Sequence, residues 1–375
     1  MEPTSGDFYV SRIEAVLFGK GKIAALGHEL ERRSIKRALI VTGKTLGRSK
    51  LLDQVKRAGG GAIAGVFTGT EQHVPASTVE ALADDARRLD ADAMISFGGG
   101  SPNDCAKAAM MALIRSDGRE MPMFAVPTTL SAGEFTGGGG VTNEETRVKG
   151  GVYDPRLQAR VVILDPTVTV ETPAWLWAST AMRSLDHAVE SAYSSRHQPL
   201  TDTLSARAIW LLNVHLVPSL KAHGDDELEH RMQCLIAAWF SIFGMSNTRA
   251  GISHALGHQI GPRWNVPHGV TSCITLPHVM RLMAEIAPER FGPIAEGLGL
   301  RFDAANPKMA ALECADRVAR FIGQLEVPNR LRDVGVPREE IGSIAETVLE
   351  EVKRSNTVGR DITTGELLKI LEAAY

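Results

Sequence analysis

The stretch AMISFGGGSPNDCAKAAMMAL, residues 93–113, limits the fold more tightly than any other part of the chain. A β-type run from Ala93 to Phe97 stops at Gly98, Gly99, Gly100 and Ser101, and Asn103 to Leu113 continues at helical spacing. Met123 to Pro127 is the next β-type run. Strand, glycine turn, helix and strand in this order make a βαβ unit, which commits the two strands to run parallel. The same grammar extends both ways. Lys36 to Thr42 (KRALIVT) is a β-branched run ending at Gly43, with a helical stretch from near Ser49. Gly61 to Phe67 is another apolar run, and Ser77 to Leu89 has helical spacing with Ser77 or Thr78 as its cap. Thr136 to Asp165 is richer in glycine and reads as a hairpin followed by a closing strand. The first half is therefore expected to be an α/β, Rossmann-like parallel sheet with helices on both faces.

After Pro173 the pattern is helical throughout. Thr201 to Val217, Asp226 to Phe243, Ala255 to Gln259, Met280 to Gly299 and Ala310 to Leu325 carry apolar faces at helical period, and Pro218 offers the first of these a stop. At 375 residues, two domains are the expectation: 1–170 as an α/β dinucleotide-binding domain and 171–375 as an all-α domain. A net charge of −3 gives no general affinity for nucleic acid or anionic membrane. The beginning MEPTSGDFYV has neither the basic start nor the apolar run of a signal peptide, and the four cysteines form no CxxC pair. A cytoplasmic protein with reduced thiols is expected.

The glycine turn carries the first chemistry. Three glycines let backbone approach a charged group closely, and the following helix points N–H groups and its positive dipole end at it. A pyrophosphate suits that place, although the spacing is not GxGxxG. Pro127-Thr128-Thr129 brings two hydroxyls to the same carboxyl edge of the sheet, where open α/β folds bind ligands. Gly43 and Lys44 end the first strand where an acidic residue would favour NAD; Lys44 tolerates or pairs with a 2′-phosphate, or is a turn lysine facing solvent. The second chemistry lies at ASTAMRSLDHAVESAY, residues 178–193, where Arg183 and His187 share a helix face four residues apart. His254, His258 and His268 follow downstream.

These stretches together resemble the iron-containing alcohol dehydrogenase family. FGGGSPNDCAKA (97–108) is similar to its phosphate loop and AVPTT (125–129) to its second cofactor loop. VVILDP (161–166) is similar to its interdomain strand and HALGHQIGPRWNVPHGVTSCITLPHV (254–279) to its histidine-rich segment. The resemblance implies the dehydroquinate synthase-like, iron-type alcohol dehydrogenase architecture, and hydride transfer between NADH or NADPH and a carbonyl-type substrate. It implies that Gly98, Gly99, Gly100 and Ser101 bind pyrophosphate, that Asp104 lies toward the nicotinamide side, that Thr128, Thr129 and Leu130 line the cofactor, and that Lys149 approaches its ribose. Metal-dependent members hold iron or zinc with an Asp four residues before a His and two later histidines. The matching positions are Arg183, His187, His254 and His268, so any metal retained would rest on His187, His254 and His268. His258 matches the histidine that relays a proton.

The arginine argues against a metal. A guanidinium has no lone pair to donate. At about 4 Å from a dication its repulsion is of order 8 kcal/mol with an effective dielectric of about 20. Asp186 is a substitute carboxylate, but on a regular helix it points about 100° away from His187. The branch whose members lack the ligand Asp resembles the maleylacetate reductases, and the short loop PTTLSAGEFT (127–136) agrees in length; GISHALGHQIG (251–261) instead resembles the metal-dependent members. The expectation is a metal-independent NAD(P)H-dependent reductase of a small oxo-acid, maleylacetate to 3-oxoadipate being the named reaction. In it Arg183 stabilises an oxyanion or clamps a carboxylate, Arg249 or Arg263 adds charge, His258 donates a proton, and His187, His254 and His268 shape the pocket. Arg183 pairing with Asp186 or Glu190 on its own helix is the plainer alternative. Other aldehydes or ketones, with or without metal, and a nucleotide-binding relative without catalysis stay open, as does a lyase of the dehydroquinate synthase type. A homodimer is the family expectation, with no nucleic acid or membrane partner.

Overall fold

The computed structural model describes residues 5–145 and 149–375, with the side chain of Lys149 outside that description. The chain forms two compact units, Val10–Thr172 and Pro173–Tyr375, the latter joined by the segment through Tyr9.

In the first unit, strands β1 (Ala15–Phe18), β2 (Ala38–Gly43), β3 (Ile63–Thr70), β4 (Ala93–Gly98), β5 (Met123–Pro127) and β8 (Ala159–Leu164) form one sheet in the order β1-β8-β5-β4-β2-β3. Every pairing is parallel. Strands covered on both faces read as unbroken apolar runs, and all six residues of β4 are buried. Ile40, Ile95, Phe97, Val126 and Ile163 pack on one face with Leu26, Leu30, Leu51 and Val55. Leu39 and Met94 alternate to the other face, where the helix Gly100–Asp117 lies against β2 and β4. Strands β6 (Gly138–Thr142) and β7 (Lys149–Tyr153) make the antiparallel hairpin. From β2 the chain moves outward to β3, and from β4 the opposite way to β5. The carboxyl ends of β2 and β4, which are hydrogen-bonded neighbours, thus form the topological switch point.

Two local expectations shift here. The helix over 77–89 starts earlier, at Ala76 behind Pro75. Ser77 does not cap it: its amide and hydroxyl donate to Glu144 at 2.9 and 3.0 Å. Strand β1, only four residues long, was too short to stand out as a period.

The second unit is helical: Ala174–Tyr193, Pro199–Lys221, Asp225–Ile242, Ile252–Trp264, His268–Ile286, Pro307–Ile322, Ile341–Ser355 and Thr364–Ala373, with shorter turns between. Pro218 does not stop its helix, which runs to Lys221, because the Pro218 carbonyl still accepts from Ala222 N at 2.8 Å. Met280 to Gly299 is not one helix. It breaks at Ala287, at φ −142° and ψ 56°, since a residue before proline disfavours the helical region, and Pro288 follows. No helix among the described residues is long and apolar enough to cross a membrane. The helix Ala174–Tyr193 is the centre of this unit: every residue from Trp177 to Tyr193 is buried, including Arg183, Asp186, His187 and Glu190. Four buried ionisable groups on one helix must find partners or change protonation.

Candidate active site

The glycine turn of the first unit is built for close approach. Gly98 ends β4 at φ +140°, a conformation L side chains rarely adopt, and a Cβ there would stand 2.9 Å from Pro102 Cγ. A Cβ on Gly99 would stand 3.0 Å from Thr129 Cγ2, so the two loops touch. Thr128 N donates to the Gly98 carbonyl at 2.9 Å, and Asn103 Nδ2 donates to the Gly99 carbonyl at 3.1 Å. The helix starts at Gly100 and includes Ser101; no side chain caps it, which leaves its first-turn amides for a ligand. Thr128, Thr129 and Leu130 are buried beside it.

Asp104 accepts from Gly140 N at 3.1 Å, which ties it to the hairpin. Gly43 ends β2 at the switch point, and the exposed Lys44 Nζ lies 3.2 Å from Glu71. Lys149 begins β7, and its backbone pairs with Thr142; its side chain lies outside the described residues. Lys107, which no pattern of residue types singles out, is wholly buried and donates to the carbonyls of Gly133 and Gly138 at 2.6 and 2.8 Å. It pins the loop after β5 to the helix that begins at Gly100. Burial pulls its ammonium down to about 8, against the pull of Asp104 and Glu134.

In the helical unit, three helices bring Arg183 and the four histidines together. The rings of His187 and His254 have centroids 4.9 Å apart, those of His254 and His268 6.5 Å, and His258 stacks on His268 at 5.2 Å and 11°. Arg183 turns into this group: Nη2 meets His268 Nε2 at 2.5 Å and Nη1 donates to Ser272 Oγ at 3.3 Å. It also lies 3.6 Å from Asp186 Oδ2. Arg183 thus meets both the imidazole group and Asp186 of its own helix, because one guanidinium has donors enough for an imidazole and a carboxylate. Arg249 and Arg263 take other partners, the Arg354 carbonyl and the Ser343 and Thr347 hydroxyls.

Asp186 Oδ2 also accepts from Ser253 Oγ at 2.8 Å and Ser272 Oγ at 2.6 Å. Glu190 accepts from the amides of Gly251 and Ser253 at 2.8 and 2.7 Å, and lies 2.6 Å from His254 Nδ1. The tight turn at Gly251 is needed: a Cβ there would stand 2.7 Å from Glu190 Oε1. Burial raises both carboxylates, and the neighbouring Glu190 raises Asp186 further. Burial pulls Arg183 down to about 10, so it stays a cation at neutral pH. Burial lowers His187 and His254 well below the usual imidazole range, helped by neighbouring imidazoles and Arg183. A neutral His254 donating from Nδ1 to Glu190 presents a bare Nε2, and that atom and His187 Nδ1 are buried without partners. His258 is different. Its side chain is 42% exposed and Nδ1 lies 2.5 Å from Glu351.

A model of the iron-containing alcohol dehydrogenases matches residues 14–166, and one of the C-terminal part of the Fe-containing alcohol dehydrogenase family matches residues 177–375. The chain belongs to the iron-containing alcohol dehydrogenase family. Lactaldehyde reductase of Escherichia coli is 30% identical over 382 residues, which cover 96% of this chain and 98% of that protein. Maleylacetate reductase of Pseudomonas knackmussii is 31% identical over 364 residues, covering 97% and 96%. A solved 1,3-propanediol oxidoreductase superposes with a TM-score of 0.90 at 29% identity, covering 99% of this chain and 100% of its own. These family members are named as reductases and an oxidoreductase, with different substrates.

In this family member, Asp186 and Glu190, named in the sequence as carboxylates near Arg183, do lie against the group, and Glu351 beside His258 is a neighbour that sequence reading did not name. The signal for Glu190 was present, since 183, 187 and 190 recur at one helix face. Asp186, three residues after Arg183 and four before Glu190, shares that face. Glu351 comes from a helix 93 residues away from His258 and was not legible from local spacing.

Proposed function

We propose that this chain is an NAD(P)H-dependent reductase of a small carbonyl compound that works without a resident divalent metal. The carrying observation is the contact of Arg183 Nη2 with His268 Nε2. One of the three histidine nitrogens a metal would use, His268 Nε2, is engaged by a hydrogen-bond donor, while Asp186 Oδ2 accepts from Ser253 and Ser272 and Glu190 is engaged by Gly251 and His254. What supports the metal-free reading is the fixed cation Arg183 beside this donor set and the donors already on His268 Nε2, Asp186 Oδ2 and Glu190, although His254 Nε2, His187 Nδ1 and Asp186 Oδ1 are buried without partners. A second reading, a metal-dependent alcohol dehydrogenase, is favoured by one fact: ligand atoms of Asp186, Glu190 and His254 lie within 4.8 Å of one another.

The glycine cradle, the uncapped helix start and the buried Thr128–Thr129 loop suit a dinucleotide, NADH or NADPH, which when bound supplies the hydride. Reduction of a carbonyl would leave negative charge on the substrate oxygen. Arg183 opposes that charge with a fixed cation in a dry setting, where such stabilisation is worth several kcal/mol. His258, half in solvent and oriented by Glu351, returns a proton to the oxygen. The finer substrate reading is an oxo-acid of the maleylacetate kind, supported by Arg183 and by the maleylacetate reductase relative; neutral aldehydes are supported by the lactaldehyde and propanediol enzymes. A cytoplasmic homodimer is the expected setting. The experiment is oxidation of NADH and NADPH against maleylacetate, lactaldehyde, 3-hydroxypropanal and matched acids and alcohols. Turnover of at least one carbonyl supports the proposal; nucleotide binding without turnover of any defeats it.

A further inference from the structure

We infer that Lys107 is a positioning residue for the cofactor: it holds the loop after β5 and the start of the hairpin in the shape that receives the nicotinamide half of the dinucleotide. This deepens the dinucleotide reading of the first unit and rests on it. The placement follows from the topology. The glycine turn after β4 suits the pyrophosphate, and β2 on one side ends at Gly43, where the adenosine ribose of a dinucleotide is read. On the other side β5 leads into loop 128–136, so the nicotinamide half falls to that loop. Lys107 has no exposed surface and cannot meet a ligand itself; it acts through the loop.

The loop does not secure its own shape. Ala132 sits at φ +60°, a conformation that residues other than glycine seldom adopt and that persists only when its surroundings impose it. The helix Gly100–Asp117 imposes it through side chains that bond backbone groups. Asn103 donates to the Gly99 carbonyl, Asp104 accepts from Gly140 N, and Lys107 joins the Gly133 and Gly138 carbonyls across the end of the loop. The Thr136 hydroxyl reaches the same two carbonyls at 3.3 and 3.4 Å, but its single proton serves one at a time. Hydrogen bonds from an ammonium are also the stronger class. The hairpin runs close over the helix, since a Cβ on Gly139 would stand 3.5 Å from Lys107 Cβ. Without Lys107 the loop's far end has no charged anchor, and the near end, where Thr129 abuts Gly99, is free to move with it.

The test compares the wild type with Lys107→Met, which keeps the length without a donor, and Lys107→Gln, which keeps one donor group. Calorimetry measures NADH and NADPH beside AMP and 2′,5′-ADP, fragments confined to the adenosine half, and needs no turnover. The variants are expected to bind the dinucleotides at least about tenfold more weakly and the fragments within about twofold of wild type, as when about a tenth or less of the molecules hold the competent loop. In steady state the loss should appear in KM for the dinucleotide rather than in kcat. Leu113→Ala, buried further along the same helix, controls for plain destabilisation: its Tm should fall with no selective loss of dinucleotide. Unchanged dinucleotide affinity in either folded variant overturns the inference, as does an equal loss for the fragments or the same selective loss in Leu113→Ala. Hydrogen exchange on the wild type reads the clamp without any substitution. Amides of residues 133–140 are expected to be protected before nucleotide is added; exchange there at the rate of an open chain until NADPH binds overturns the inference. A wild type that binds neither dinucleotide defeats the cofactor reading and the inference together.

Discussion

Replacing Arg183 with methionine is expected to lower kcat for carbonyl reduction by about 100-fold or more, a loss of about 3 kcal/mol of transition-state stabilisation. Arg183 touches the imidazole group and lies 3.6 Å from Asp186, so its removal leaves the developing oxygen charge facing Asp186 and Glu190. NADPH affinity should hold within a few-fold, because the glycine cradle belongs to the other unit. Steady-state rates with a fluorescence titration of NADPH separate the two effects. The double change Arg183→Met with Asp186→Asn controls for the buried carboxylate left unpaired, whose cost in stability is about 3 kcal/mol or more. A rate within threefold of wild type in either variant would mean that the guanidinium has no catalytic part.

The larger effect on the protein itself is expected from Arg183→Asp. This change removes the charge that balances Asp186 and Glu190 and adds a third carboxylate to a buried group. Without a counter-ion the variant should be strongly destabilised, since unpaired buried charges are costly. It also frees His268 Nε2 and recreates the aspartate and three-histidine set that the family resemblance implies for metal-dependent members. Zinc or iron should therefore bind near stoichiometrically and raise Tm by on the order of 5 °C or more, as expected for a ligand at a large excess over its Kd. Differential scanning fluorimetry with and without a chelator, on wild type and variant, gives the comparison. An unchanged chelator response in the variant would show that more than one side chain separates this site from a metal centre.

The first unit was legible because its signals are local. A β-branched run, a glycine stop and a helical period are each contained within about a dozen residues, and β4, β5 and the helix at Gly100 follow from them. The histidines and Arg183 were legible as a set because the family segment carries them together. Their meaning was not. Whether Arg183 faces the imidazoles depends on Ser272 and His268, 85 or more residues away, and Asp186, its neighbour one turn on, is also bonded by Ser253 and Ser272 from two other helices. The same holds for Glu351 beside His258 and for Lys107, whose partners are backbone carbonyls and leave no trace in residue type. Helix ends were misjudged where proline acts through its neighbour, at Ala287, or is tolerated in a last turn, at Pro218.

The central claim is that a guanidinium stands where relatives of the iron type would place a metal. Metal content by mass spectrometry, measured on the same wild-type sample whose NADPH-dependent carbonyl reduction is followed before and after chelation, tests it most directly. The account predicts far less than one metal ion per chain and an unchanged kcat after chelation. One zinc or iron per chain, with activity lost on its removal and restored on its return, would contradict it.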